Sequence, residues 1–289
     1  MTKQIVLVIN ERDARSVEAG AELRKWCATH DVVVVDYAPD LTPDLIVALG
    51  GDGTILRAVS ELGAYDIPIL GVKFGRLGFL SGAPAADLLD AVEAALDGRA
   101  AIESRAVLEV RAHSGDVELG RFFALNEVLV GRGAQPSIIT TRLLINGHHV
   151  YTQRGDGLIA STATGSTAYA LSAGGPILSP GYRGMALVPL ASHTLVNRAI
   201  VTAPEDEVRI ELPEACHAKA ALAIDGRMVL DESKVLTQVD IGLSERSVLL
   251  VKLDKRLFFD TLATEFFGPP PSSVIPGADP GSREAESAA

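Results

Sequence analysis

Four short apolar runs without a polar face dominate the first quarter of the chain: "IVLVI" (5–9), "VVVV" (32–35), "LIVAL" (45–49) and "IPILGV" (67–72). Runs of this length, rich in β-branched residues, predict strands covered on both sides. Between them apolar residues recur at helical spacing. Ala19, Leu23, Trp26 and Cys27 share one face, and "ADLLDAVEAAL" (86–96) carries a similar stripe. Strands alternating with helices in this way predict a parallel sheet with helices on its faces, and ligands of such sheets collect at the carboxyl ends of strands.

Past residue 100 the pattern changes. "AVLEVRAH", "RFFALNEVLV", "IITTRLLI", "HHVYTQ", "EVRIEL" and "SVLLVKL" are separated by turn residues, which predicts a mostly antiparallel β region. Asn146-Gly147 is a strong type I′ hairpin signal, and Asp225-Gly226 reads the same way. The expected organisation is an α/β N-terminal domain over 1–103 and a mostly β domain over 104–254. A helix over 255–267, with Leu257, Phe258, Leu262 and Phe266 at helical spacing, is expected to pack back on the first domain. The stretch 268–289, rich in Pro, Gly, Ser and Ala, is expected to be a disordered tail.

Composition narrows the partners. With 37 Asp and Glu against 26 Lys and Arg, the 289-residue chain has a formal net charge of -11, which disfavours a nucleic-acid groove or an anionic membrane surface. Its two cysteines, Cys27 and Cys216, have no metal or disulfide spacing and read as buried apolar residues. No signal peptide or membrane-length apolar run is evident, so the expected location is cytoplasmic.

Three segments carry candidate chemistry. The first is "VALGGDGTILRAV" (47–59), where a strand runs through Gly50, Gly51, Asp52, Gly53 and Thr54 into a helix expected to begin near Thr54. Glycines admit close approach of phosphate oxygens, and the helix start offers unpaired N–H groups. A carboxylate inside a phosphate loop repels phosphate, so it suits proton abstraction from an attacking hydroxyl or the holding of Mg²⁺. Read alone, the same residues serve equally as a tight turn with Asp52 as a helix cap. The second segment, "GDGLIASTATGSTAYALSAGGPIL" (155–178), gathers Ser161, Thr162, Thr164, Ser166 and Thr167 around Gly165. Hydroxyl and backbone donors of this kind bind sugars and phosphates, with Tyr169 and Asp156 offering an aromatic face and a carboxylate. An ordinary Ser/Thr loop before a capped helix has the same composition. The third is Asn126-Glu127 within an apolar strand, a polar pair that must find partners if buried. The histidines, His193 included, read as structural or solvent-facing.

Taken in order, "GGDGT" with Arg57, "NE", "GDGLIASTATGSTAYALSAGGPI", "SHTLVNRAIV" and "IDGR" resemble the NAD kinases over about residues 45–265. The resemblance implies an NAD kinase/diacylglycerol kinase-like fold and Mg²⁺-dependent phosphoryl transfer from ATP or another donor to the adenosine 2′-hydroxyl of NAD. It implies Asp52 as general base, with Gly50, Gly51 and Thr54 forming the phosphate loop. It places Gly53, Arg57, Asn126, Glu127, Arg154, Asp156, Thr167, Ala168, Tyr169, Ser172 and Asp225 at the NAD site. NAD binding partly across a subunit interface is implied as well, hence a homodimer or homotetramer. The chain departs from the family's usual residues at Lys73, Ala163 and Ser192, which stand where Asn, Pro and Pro are common. A lipid kinase of the diacylglycerol or sphingosine type shares the Gly-Gly-Asp-Gly loop, and a non-catalytic dinucleotide sensor would share the scaffold.

Overall fold

In the computed structural model, which describes residues 2–38, 41–75, 78–134, 138–193, 198–216, 220–231, 233–253 and 258–268, the four apolar runs are parallel strands. They are β1 (Lys3–Ile9), β2 (Val32–Val34), β3 (Leu45–Leu49) and β4 (Pro68–Lys73), side by side in the order β4-β3-β1-β2. Every residue of β3 is buried. Leu45, Val47 and Leu49 enter one core with α1 (Ala14–Cys27) and α3 (Leu88–Leu96). Ile46 and Ala48 enter another with α2 (Asp52–Leu62) on the opposite face. This two-sided burial is why the run lacks polar alternation.

The topology then fixes where a ligand fits. α1 carries the chain from β1 to β2 across one face, while α2 carries it from β3 to β4 across the other. The paired ends Ile9 and Leu49 are therefore left by chains that diverge, opening a crevice at the carboxyl ends of β1 and β3.

A two-residue strand, β5 (Ala83–Pro84), edges β4 and leads to the antiparallel region. There β6 (Ala101–Ser114), β7 (Val117–Ala124), β8 (Glu127–Arg132), β9 (Ile139–Ile145), β10 (His148–Gly155) and β11 (Gly157–Ser161) follow one another. The short helix α4 (Tyr169–Ser172) precedes β12 (Ala186–Leu190), β13 (Ile200–Val201) and β14 (Val208–Glu211). Last come β15 (Ala220–Ile224), β16 (Arg227–Leu230) and β17 (Gln238–Lys252). One sheet runs β10-β9-β14-β17-β4-β3-β1-β2, with β5, β6 and β7 attached, and the other runs β13-β12-β11-β8-β15-β16. Their facing sides share a core that includes Leu108, Val110, Val130, Leu143, Leu158 and Leu222. Both cysteines are buried and free.

Asn146 (φ 51°) and Gly147 (φ 77°) turn β9 into β10, and Asp225 (φ 47°) and Gly226 (φ 76°) turn β15 into β16, in the left-handed conformations of a type I′ turn. Residues up to 255 form one compact unit and those from 256 a second. In the latter, α5 (Phe258–Leu262) continues as a wider π-type turn over Ala263–Phe267. The remainder of the expected helix, 255–257, and the tail from 269 lie outside the described residues.

The long strand β17 joins both halves. Leu249 and Leu250 pair with Pro68 and Ile69 of β4 in parallel, while the same strand pairs with β6 and β14 antiparallel. Leu250 is fully buried at this junction. Leu250→Ala should lower the free energy of unfolding by about 2–5 kcal/mol, read from urea denaturation of the two proteins.

Candidate active site

The opening loop is built by backbone geometry. Gly50 has φ +156°, and its N–H donates to the Val72 carbonyl at 2.9 Å, so the chain leaves β3 still tied to β4. A side chain at Gly50 would run into the Thr54 hydroxyl. The helix begins at Asp52, two residues before the expected start, and Gly51 is its cap without any side-chain hydrogen bond. Asp52 is thus not a helix cap. Its carboxylate lies outside the helix, accepts a hydrogen bond from Ser81 Oγ at 3.0 Å and rests against the Cα of Gly78, where a Cβ would collide with both its oxygens.

On the other side of Asp52 the loop is open. A Cβ added at Gly51 or Gly53 would meet no atom within 4 Å. These glycines border a cavity of about 570 Å³ lined by Asn10, Glu11, Arg12, Gly51, Gly53, Thr54 and Arg57. It occupies the crevice that the topology demands, and the first N–H groups of α2 favour an anion there. Arg57 is anchored by an Nη2 hydrogen bond to the Ile9 carbonyl at 2.7 Å, with Glu61 at 3.8 Å from Nε. Lys73 closes β4 one residue beyond the carbonyl that holds Gly50.

A second cluster forms around the polar pair. Asn126 is in the bend between β7 and β8, and Glu127 is the first residue of β8, so the pair stands at a strand's start rather than in mid-strand. Asp225 clamps this bend: its carboxylate accepts from the backbone N–H groups of Leu125 (2.9 Å), Asn126 (2.7 Å) and Glu127 (3.0 Å). Burial pushes the Asp225 carboxyl up, and the three amides oppose it. Glu127 is only 7% exposed, and its Oε2 has no hydrogen-bond partner among the described residues. Burial first, and the Asp225 charge second, push its carboxyl up to about 7. The two clusters meet through Arg227, just after the Asp225 turn, which donates to Ser60 Oγ (2.8 Å) and Glu61 Oε1 (3.3 Å) on α2.

The hydroxyl-rich loop divides into inward and outward groups. Thr162 Oγ1 donates to the Leu125 carbonyl at 2.6 Å and accepts from Gly165 N–H. Ser161 Oγ donates to the carbonyls of Thr162 and Asn126, and Ser166 Oγ to that of Ala163. Their hydroxyl protons are committed to the loop's own carbonyls and to those of the 125–126 bend, so Ser161, Thr162 and Ser166 build the loop. Gly165 is pressed so tightly on the Asn126 carbonyl that a Cβ would clash. Thr167 is half-buried, its Oγ1 donating to the Thr164 carbonyl at 3.3 Å, and Tyr169 and Ser172 are exposed, leaving this side of the loop accessible. Arg154 and Asp156 stand apart from this group. Asp156 precedes β11 and pairs with Arg132 at 3.0 Å, whereas the hydroxyl loop follows β11, about 16 Å away at a strand's rise per residue. Arg154 is exposed, and its carbonyl accepts from His193 N–H at 2.8 Å.

With this geometry in place, residues 22–100 match the ATP-NAD kinase N-terminal domain and residues 125–253 the ATP-NAD kinase C-terminal domain. The chain belongs to the NAD kinase family. An NAD kinase of Heliobacterium modesticaldum is 34% identical over 276 residues, spanning 89% of this chain and 95% of the relative. An NAD kinase of Azoarcus sp. is 45% identical over 208 residues, 72% of this chain and 70% of the relative. The crystal structure of an NAD kinase from Archaeoglobus fulgidus in complex with ATP superposes with a TM-score of 0.70 at 27% identity, covering 89% of this chain and 96% of that one. Yeast NADH kinase complexed with NADH gives a TM-score of 0.80 at 22% identity over 94% and 89% of the two chains, a likeness of fold.

Within this NAD kinase scaffold, sequence reasoning overlooked Asn10–Arg12, Ser81 and Lys252. The first could have been found from their place at the end of the first strand of a parallel sheet, where ligands collect. The other two give no local signal.

The Glu127 shift fixes a pH dependence. Its folded value of about 7 exceeds the ordinary 4.5, so the native state binds the extra proton, and that stability is lost as pH rises through 7. Glu127→Gln should therefore gain on the parent protein between pH 4.5 and 8, by about 1–3 kcal/mol at the upper end, visible as a widening difference in Tm.

Proposed function

We infer that the protein is an NAD kinase that transfers the γ-phosphoryl group of ATP to the adenosine 2′-hydroxyl of NAD, giving NADP and ADP. The observation that carries the mechanism is the Asp52 carboxylate: it is excluded from capping α2, gripped by Ser81, and placed beside an open glycine cradle in the crevice between β1 and β3. In this reading ATP phosphates enter the cavity bordered by Gly51, Gly53, Thr54 and Arg57, where the N–H groups of α2 and the Arg57 guanidinium offset their charge. Asp52 takes the proton of the 2′-hydroxyl as the new O–P bond forms and the bond from the γ-phosphorus to ADP breaks. A ribose hydroxyl is a weak nucleophile near neutral pH, so fixing the acceptor and the base together supplies much of the rate.

NAD is assigned to the second cluster. Asn126 and Glu127 face its adenosine, and Thr167, Ala168, Tyr169 and Ser172 continue the site along the accessible side of the hydroxyl loop. Gly53 and Arg57 lie where donor and acceptor meet. Asp225 contributes from behind by holding the 125–127 bend through three amides. Arg154 and Asp156, a strand's length from the hydroxyl loop, act on this reading from a second copy of the chain, which supports a homodimer or homotetramer. On the sequence reading the protein works in the cytoplasm; among the described residues no helix is long and apolar enough to cross a membrane.

Mg²⁺ fits this arrangement as a companion of ATP. The described residues hold no cluster of three or more His, Cys, Asp or Glu, and Mg²⁺ commonly takes one or two carboxylates together with substrate phosphates. Asp52 is the residue that would share it, and the ion would neutralise charge on the phosphates. Family membership sets aside the lipid-kinase alternative, and the retained, positioned Asp52 favours an enzyme over a sensor.

Asp52→Asn should lower NADP formation from NAD, ATP and Mg²⁺ by about 10²- to 10⁴-fold while the Kd for NAD changes little. Parental turnover in that variant would remove Asp52 from the role of base.

A further inference from the structure

The grip of Ser81 on Asp52 has its own support, on a strand about 170 residues further along the chain. Lys252 is the last residue of β17, and its Nζ donates to the carbonyls of Phe79 (3.2 Å) and Ser81 (2.8 Å). The same short turn that presents its carbonyls to the ammonium presents the Ser81 hydroxyl to Asp52. It is confined on the other sides too. Gly82 N–H donates to the Gly71 carbonyl at 2.8 Å, Leu253 N–H donates to the Gly82 carbonyl at 3.1 Å, and a Cβ on Gly82 would clash with the Val251 carbonyl.

We propose that Lys252 is a positioning residue for phosphoryl transfer: by holding the Phe79 and Ser81 carbonyls it fixes the turn whose Ser81 hydroxyl aims Asp52 at the acceptor. This rests on Asp52 being the base. Packing alone does not explain a lysine here: the residue is half-buried with its ammonium on two backbone carbonyls, and withdrawing an ammonium from water costs free energy that an apolar side chain of similar length would not. Burial pulls its pKa down to about 8; the charges of Glu103 on β6 and Asp52 on α2 favour the cation, and Arg105 on β6 opposes it. Arg105 is itself buried and reaches Thr164 Oγ1 at 3.4 Å and Glu103 at 2.7 Å, so the group around Lys252 also touches the hydroxyl-rich loop. A cation held at this cost, with both hydrogen bonds on one turn, is accounted for by the direction that the turn imposes on Asp52.

The test is steady-state kinetics of the full chain with NAD and MgATP, with Tm measured for each variant. Lys252→Met should lose about 10- to 100-fold in kcat, the scale of a misplaced reacting group, with both KM values within about threefold of the parent. Lys252→Arg, which can still donate to two carbonyls, should recover most of that loss. Ser81→Ala should lower kcat in the same way, and Ser81→Ala/Lys252→Met should be no worse than the poorer single variant, because one path is broken twice. Parental kcat in Lys252→Met, a loss that appears in KM, or losses that multiply in the double variant would each overturn the proposal. If Lys252→Met does not fold, Ser81→Ala decides, and parental kcat there overturns it. Asp52→Asn run alongside separates the two readings. Parental turnover in Asp52→Asn sinks the base, whereas loss in Asp52→Asn with parental kcat in Lys252→Met sinks only the positioning role.

Discussion

A carboxylate in the first turn of a helix has ready partners in the unpaired N–H groups of that turn, and the usual outcome is a cap. The hydrogen bond from Ser81 to Asp52 takes the carboxylate out of that competition. It leaves the amino end of α2 free for an anionic ligand and holds the one acid of the loop against the turn that carries Ser81. Both consequences require the chain after β4 to return against α2. A Cβ at Gly78 would collide with both carboxylate oxygens and displace Asp52 from this position.

The cluster around the 125–127 bend is organised by a different balance of charge. Two carboxylates, Asp225 and Glu127, are buried near one another, and burial disfavours ionisation of both. The three backbone amides all go to Asp225, so the pair is unequal: one acid is satisfied and structural, the other keeps an unpaired oxygen. An orphaned acceptor costs about 1–3 kcal/mol in a folded protein, and a ligand with hydroxyl or amino donors would recover part of that on binding. The unpaired oxygen that costs stability in the free protein is also the one that such a donor would satisfy.

Local signals made much of this legible. The apolar runs became β1 to β4 because two-sided burial suppresses alternation, and Asn146-Gly147 and Asp225-Gly226 became the turns that only left-handed backbone allows. The glycine-rich loop was readable as a ligand seat because it follows a buried strand. What was not readable depended on register. Ser81 meets Asp52 only once β4 and α2 have packed, and Lys252 reaches the same turn only because Leu249 and Leu250 pair with Pro68 and Ile69. Nor does composition tell a buried hydroxyl from an accessible one: Thr162 and Ser166 are buried in their own loop, while Thr167, one residue beyond and bonded to the Thr164 carbonyl, is half-buried and Ser172 is exposed.

The strand β17 explains why the two halves act as one site. The glycine loop lies at the end of a parallel strand and the Asn126-Glu127 bend on an antiparallel sheet, and some element must set the distance between them. Inter-domain linkers leave such distances free to vary. Here the same strand pairs with the parallel β4 and with the antiparallel β6 and β14 of one continuous sheet, and the second sheet, which carries the 126–127 and 162–167 segments, packs on that sheet through a shared apolar core. Phosphoryl transfer asks for little covalent chemistry and much alignment, and effective molarity falls steeply with small misplacements. A shared strand that ends at the turn carrying Ser81, with the Lys252 side chain hydrogen-bonded to that turn, supplies rigidity of that kind.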